Sequence, residues 1–202
     1  MVTGESLFVY DETVLKERVA RLPGPERSLL AAACAERLMP LYGWIASAAG
    51  SAEAASIRSA LDLVWSASAS AEQLGHAQLE VEKLVPDEDD EDAPVDVALV
   101  QNAIAAVAYA LRAVGSHDAQ DVVWAARQLY EAADYIVQRE APNQIYMEDL
   151  EKEAPIHLVL RGLGSSLEDL ESVSLTQLRT RAQADGNALL VLFKAEWAEH
   201  SD

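Results

Sequence analysis

Positive charge is what this chain has least of. Lysine occurs four times and arginine eleven, against 34 acids, and the net charge is −19. A field of that sign repels DNA, RNA and anionic membranes, which argues against direct nucleic-acid or membrane-surface binding. It attracts cationic proteins or metal ions, with solubility and adaptation to high salt as further readings that composition does not rank. Cysteine is almost absent. With Cys34 alone no disulfide can close within these residues, which fits a reducing, cytoplasmic setting. Glycine (9), proline (7) and aromatics (6%) are also sparse, which argues against a turn-rich β architecture. The first residues, MVTGESLFVYDETV, carry no basic segment followed by a long apolar one, so no signal peptide is expected. The most apolar stretch, VDVALVQNAIAAVAYALRAV, is broken by Asp96, Gln101, Asn102 and Arg112 and reads as a central buried helix rather than a membrane span.

Alanine, by contrast, supplies 36 residues, and half the chain is apolar. Alanine is the best helix former and a poor strand former. Apolar residues recur at helical spacing almost throughout. The expectation is one all-α domain over 1–202, a bundle of about seven to eight helices. A short helix follows Tyr10, and PGPE at 23–26 separates it from a second. Pro40 falls inside the second pattern and predicts a kink or break there. Gly50 and Ser51 are expected to cap one helix and open the next. Helices are expected from there to Trp65, from Ala71 to Leu84, from Pro94 to near Gly115, and from Ser116 or His117 to APN at 141–143. Pro155 marks another first turn, with RGLGSS after it as a loop. A last helix is expected to stop at Gly186, and NALLVLFKAEW stays open between extended and helical.

The densest feature is PDEDDED at 86–92, where six acids, Asp87, Glu88, Asp89, Asp90, Glu91 and Asp92, form an acidic loop over 86–94. Counted from Asp87 as a calcium loop, position six is Asp92 instead of Gly and position twelve is Ala98 instead of Glu, so the EF-hand pattern fails. The run reads first as a solvated connecting loop, with a docking surface for a basic partner and a weak cation site as the alternatives. Removing its six acids still leaves −13, so the excess is spread over the whole chain.

Catalytic and metal motifs are weak. His76, His117, His157 and His200 form no His-x-x-x-His or Glu-x-x-His pair. His117 with Asp121, and Glu153 with His157, are read as helix-terminal hydrogen bonds. Cys34 lies on an apolar helix face and reads as a small buried hydrophobe. GLGSSL at 162–167 lacks the third glycine and the preceding strand of a dinucleotide loop. Trp65 and Trp124 are expected in the core, with Trp44 beside Pro40 and Trp197 partly exposed. No catalytic residue, metal site or cofactor is assigned.

CAERLMPLYGWI followed by ALDLVW, together with LRTRAQADGNALLVLF near the end, resembles a bacterial YjaG-like family of unknown function. The residues that carry the resemblance are Cys34, Glu36, Arg37, Pro40, Tyr42, Asp62 and Trp65. The resemblance implies an all-helical, cytoplasmic, self-associating fold and no reaction. Its motif residues have a structural reading: Tyr42 and Trp65 fill the space beside Pro40, and Arg37 pairs with Asp62 between helices. Three functions follow as expectations. The first is an acidic, non-enzymatic interaction module, in its sharpest form an immunity-type inhibitor of a basic, nuclease-like partner. The second is a small-molecule or metal-dependent enzyme with a polar site near Glu36, Arg37 and Asp62. The third is a housekeeping helical homo-oligomer.

Overall fold

The computed structural model describes residues 9–66, 68–86, 96–140, 153–170 and 174–199, and among them eight helices and no strand. They are α1 (Glu12–Ala20), α2 (Gly24–Ala48), α3 (Ala54–Trp65), α4 (Ala71–Glu82), α5 (Val97–Ser116), α6 (Ala119–Glu140), α7 (Ala154–Asp169) and α8 (Leu175–Glu199). The all-α expectation holds. The acidic run Asp87–Asp92, Pro94, the APN stop at 141–143 and the side chain of Trp197 lie outside the described residues.

Two helices carry the core. In α2 every residue from Leu30 to Met39 is buried, so this helix is enclosed on all sides. Its AAACA segment makes that possible, because small side chains let neighbouring helices approach from several directions. α3, α5, α6, α7 and α8 all pack against it. α5 is the second core helix, packed against α2, α3, α4 and α6. By length and composition α5 could cross a membrane, but it is the core helix that its polar interruptions predicted. α1 packs on α6, where Tyr10 stacks on Tyr130 at 4.5 Å and Arg127 pairs with Glu12 at 2.5 Å.

The helix ends follow local chemistry. Ser70 and Gln73 form a reciprocal capping box at the start of α4. α2 ends in a Schellman motif. Gly50 takes φ +68, its N–H donates to the Ser47 carbonyl at 3.2 Å, and the Ser51 N–H donates to the Ala46 carbonyl at 2.9 Å. Ser51 does not open α3, however. Glu53 stands at that N-cap, and the Ser51 hydroxyl, two residues before it, accepts the Glu53 N–H. Likewise His117 does not start α6. It adopts a left-handed φ of 52 as the C-cap of α5.

Two expectations change in the second half, an open reading there is settled, and of the kink or break expected at Pro40 the break is not found. α2 runs unbroken through Pro40. Proline removes only the N–H that would reach the Glu36 carbonyl, and packing around the helix outweighs that one lost bond. RGLGSS is not a loop, since α7 continues through it to Asp169. Gly186 does not stop α8, which runs on to Glu199 and makes NALLVLFKAEW helical. Gly162 within RGLGSS and Gly186 both face Arg37, and that contact accounts for them.

Candidate functional site: a buried ionic lock around Glu36 and Arg37

Two adjacent charges on the enclosed helix have to be neutralised, because an unpaired buried ion is costly. Glu36 is 1% exposed and Arg37 2%. Being consecutive, they point to different flanks of α2, and each organises its own cluster.

Arg37 reaches toward α7 and α8. Its Nη2 donates to Asp185 at 2.8 Å, to the Gly162 carbonyl at 2.8 Å and to the Ser166 hydroxyl at 2.9 Å. Its Nε adds a 3.1 Å bond to Asp185, and Nη1 donates to the Ala33 carbonyl at 3.0 Å. The fork geometry of guanidinium suits this demand. Space for it comes from glycine. A Cβ on Gly162 would lie 2.7 Å from Asp185 Oδ2 and 2.8 Å from Arg37 Nε, and one on Gly186 would lie 2.5 Å from the Arg37 carbonyl oxygen. Gly162 leaves room for the side chain, and Gly186 lets α8 touch the α2 backbone.

Glu36 reaches toward α3 and α8. Arg58 binds it through both nitrogens, Nη1 to Oε1 at 2.7 Å and Nη2 to Oε2 at 2.8 Å. The Trp65 indole N–H donates at 2.8 Å and the Gln183 amide at 3.0 Å. Arg179 Nε lies 3.4 Å away, and its guanidinium stacks over the Trp65 ring at 5.7 Å. Asp62 closes the ring, paired with Arg58 at 3.1 Å and with Arg179. Two cations thus alternate with two anions, and the cluster is neutral as a whole.

The expected Arg37–Asp62 pair is therefore replaced. Asp185 is the partner of Arg37, while Asp62, 48% exposed at the rim, serves Arg58 and Arg179. Trp65 is partly buried, and its indole N–H donates to Glu36. Tyr42 is buried in the core, and that burial raises its hydroxyl pKa. Trp124 is only partly buried, against Tyr109 and Arg112. Cys34 is fully buried, and desolvation pushes its thiol up to about 11, the opposite of an activated nucleophile. The His117–Asp121 hydrogen bond is not formed. Asp121 accepts from Ser116 at 2.6 Å and pairs with Arg112, while the His117 ring covers Gly24. Glu153 and His157 meet through a backbone bond only. Among the described residues no three His, Cys, Asp or Glu side chains gather as a metal site would require.

Sequence reasoning missed Arg58, Ser166, Arg179, Gln183 and Asp185. A signal existed for some of them. Arg58 and Asp62 stand four apart, as do Arg179 and Gln183, so each pair shares a helix face. Nothing in the pattern says that those faces meet at Glu36. Chemically the cluster is static. Every oxygen of Glu36 is occupied, leaving no lone pair for a proton or a metal, and its effect is to fasten α3, α7 and α8 to α2.

An all-helical protein whose central helix is locked to two neighbours by buried ion pairs and to a third by hydrogen bonds from a buried arginine is the class that this geometry defines. The family described as "protein of unknown function (DUF416)" matches residues 14–187, and the chain belongs to that family. This agrees with the resemblance to a bacterial family of unknown function, and the YjaG-like label remains a resemblance. The chain is also similar to the crystal structure of a DUF416 family protein from Shewanella baltica OS155, with a TM-score of 0.67 and 19% identity. That likeness covers 86% of this chain and 93% of the other, and it concerns the fold. No curated protein matches the chain.

Proposed function

We propose that this protein is an acidic, non-enzymatic helical module that docks a basic protein partner. The observation that carries the reading is the fate of its arginines. Arg37, Arg58, Arg112, Arg127, Arg139, Arg179 and Arg181 each pair with an acid on another element. Arg27 donates to the carbonyls of Ala20, Leu22 and His117. Most of the scarce positive charge is thereby consumed by the fold itself, and the −19 excess is expressed toward solvent. α4 illustrates it: Glu72, Glu80 and Glu82 are exposed, and the sequence runs on from its end into Asp87–Asp92. Such a surface steers a cationic partner into fast, salt-sensitive association. An immunity-type inhibitor covering the basic cleft of a nuclease is the sharpest form of the reading.

The enzyme reading has less behind it, because Glu36 and Arg37 are sealed and saturated. What lies open above them is a cleft of about 360 Å³ lined by Trp65, Thr176, Arg179, Thr180 and Gln183, whose arginine is already paired.

The test is an affinity capture from native lysate at low salt, followed by ionic-strength titration of any purified basic partner. Binding should fall steeply with salt and weaken in a Glu72→Gln, Glu80→Gln, Glu82→Gln variant that melts like the parent. Retention of no basic protein at low salt, or binding indifferent to both salt and these substitutions, would refute the proposal.

A further inference from the structure

A second surface has the opposite character from the acidic exterior. α7 and α8 leave between them an open groove of about 660 Å³, within the size range of small-molecule sites. Its α8 wall is apolar, formed by Ala188, Val191 and Leu192, and Val191 is 65% exposed. Its α7 wall presents Leu158 flanked by His157 and Arg161.

Seven other arginines are held by carboxylates, whereas Arg161, like Arg21 at the end of α1, is exposed and no described side chain pairs with it. His157 stands one turn earlier on the same face, about 6 Å along the helix axis. Two donors at that spacing can converge on one small anionic group. Opposite them, the apolar strip from Ala188 to Leu192 also spans about 6 Å, the scale of a short alkyl or aryl tail.

We propose that this groove binds a small amphipathic carboxylate, with its head on Arg161 and His157 and its medium-length apolar tail along Leu158, Val191 and Leu192. The charge logic is local. On a chain of net charge −19, an anion finds purchase only where a cation has been left unpaired. A guanidinium suits the head because it can meet a carboxylate through two parallel hydrogen bonds.

The probe is octanoate, titrated below its aggregation range into isotope-labelled full-length protein and followed by amide and methyl NMR shifts. Octanol, with the tail and a neutral head, and acetate, with the head alone, run beside it. Shifts should cluster on Leu158, Val191 and Leu192, and octanoate should bind at least about ten-fold more tightly than either control. Arg161→Gln should weaken octanoate by roughly ten-fold and leave octanol unchanged. Val191→Asp should remove binding of both. Both positions are exposed, so the fold tolerates these changes, and thermal melts verify it. Equal affinity for octanol, shifts scattered over the surface, or no effect of Arg161→Gln would overturn the proposal. So would groove shifts that follow protein concentration without ligand, since they would assign the face to self-association.

Discussion

Replacing Gly186 by alanine should destabilise the protein, although alanine is the better helix former. Inside an exposed helix the exchange is worth about 1 kcal/mol in favour of alanine, and Gly75 in α4, with nothing within 4 Å of its would-be Cβ, should show that gain. At Gly186 the added carbon would sit 2.5 Å from the Arg37 carbonyl oxygen and 3.0 Å from its carbonyl carbon and Cα. These are backbone atoms, so no side chain can swing aside. Relief requires α8 to move off α2 by about 1 Å, judged against ordinary van der Waals contact. That movement stretches the 2.8 Å Arg37–Asp185 bond. Overpacking costs about 1–3 kcal/mol, and weakening a hydrogen bond to a charged group adds about 1.5–3 kcal/mol. After subtracting the propensity gain, the expected loss is about 1.5–5 kcal/mol. In a chain of this size that lowers Tm by roughly 3–20 °C. Urea unfolding of Gly186→Ala beside Gly75→Ala measures it. Gly186→Asn adds a second reading. A glycine that terminated a helix in the left-handed conformation would tolerate asparagine, whereas a close helix contact makes asparagine worse than alanine. A Gly186→Ala protein as stable as the parent, or an asparagine variant milder than the alanine one, would refute the contact.

The remaining expectations concern the charges and the thiol. Glu36→Gln leaves Arg58 and Arg179 facing a neutral amide in a sealed site and should cost about 3 kcal/mol, while Trp65→Phe, which removes one donor to the carboxylate, should cost about 1.5 kcal/mol. A double-mutant cycle should show the two coupled, and additive losses would mean that the indole bond is not part of the lock. Arg37→Met should cost about 3–5 kcal/mol, more than Asp185→Asn, because Asp185 is 22% exposed and water can take up its slack; the reverse order in denaturant melts would contradict this. Cys34 should be inert to Ellman's reagent in the native state at pH 8 and react only after unfolding. Burial raises its pKa from the ordinary 9.0 to about 11, so between those values the unfolded chain has lost a proton that the folded chain keeps. Stability attributable to this group therefore falls as pH rises across that window, and Cys34→Ala should flatten that part of the profile. An unchanged slope would argue that the thiol is not desolvated.

Much of the fold was legible because helix formation here is a local matter. Alanine content, apolar spacing at three and four residues, Pro25 and Pro155 in first turns, and Gly50 at a left-handed cap act over one or two turns, and the helices stand where those signals place them. Two capping residues, Ser51 and His117, were misplaced by local chemistry, and the larger errors fall where a distant partner overrides the local rule. RGLGSS and Gly186 carry local marks of a loop and a stop, yet both are helix interior because Arg37, more than a hundred residues away in sequence, needs their missing side chains. Pro40 carries the mark of a break, and the packing around α2 keeps the helix whole.

The candidate site divides in the same way. Read alone, the sequence placed Glu36 and Arg37 on an alanine-rich helix and pointed to a charged partner on a neighbouring helix. It could not settle which, since burial fixes the demand for a counter-charge while only the approach of α3, α7 and α8 decides which acid or base comes within 3 Å. Arg37 took Asp185 rather than Asp62 for that reason. The sequence also determined the net charge and hence its far field. Which cations the fold would turn inward, and that Arg161 would be left beside an apolar groove, depended on how the helices pack, because pairing is a property of distances that one-dimensional order does not contain.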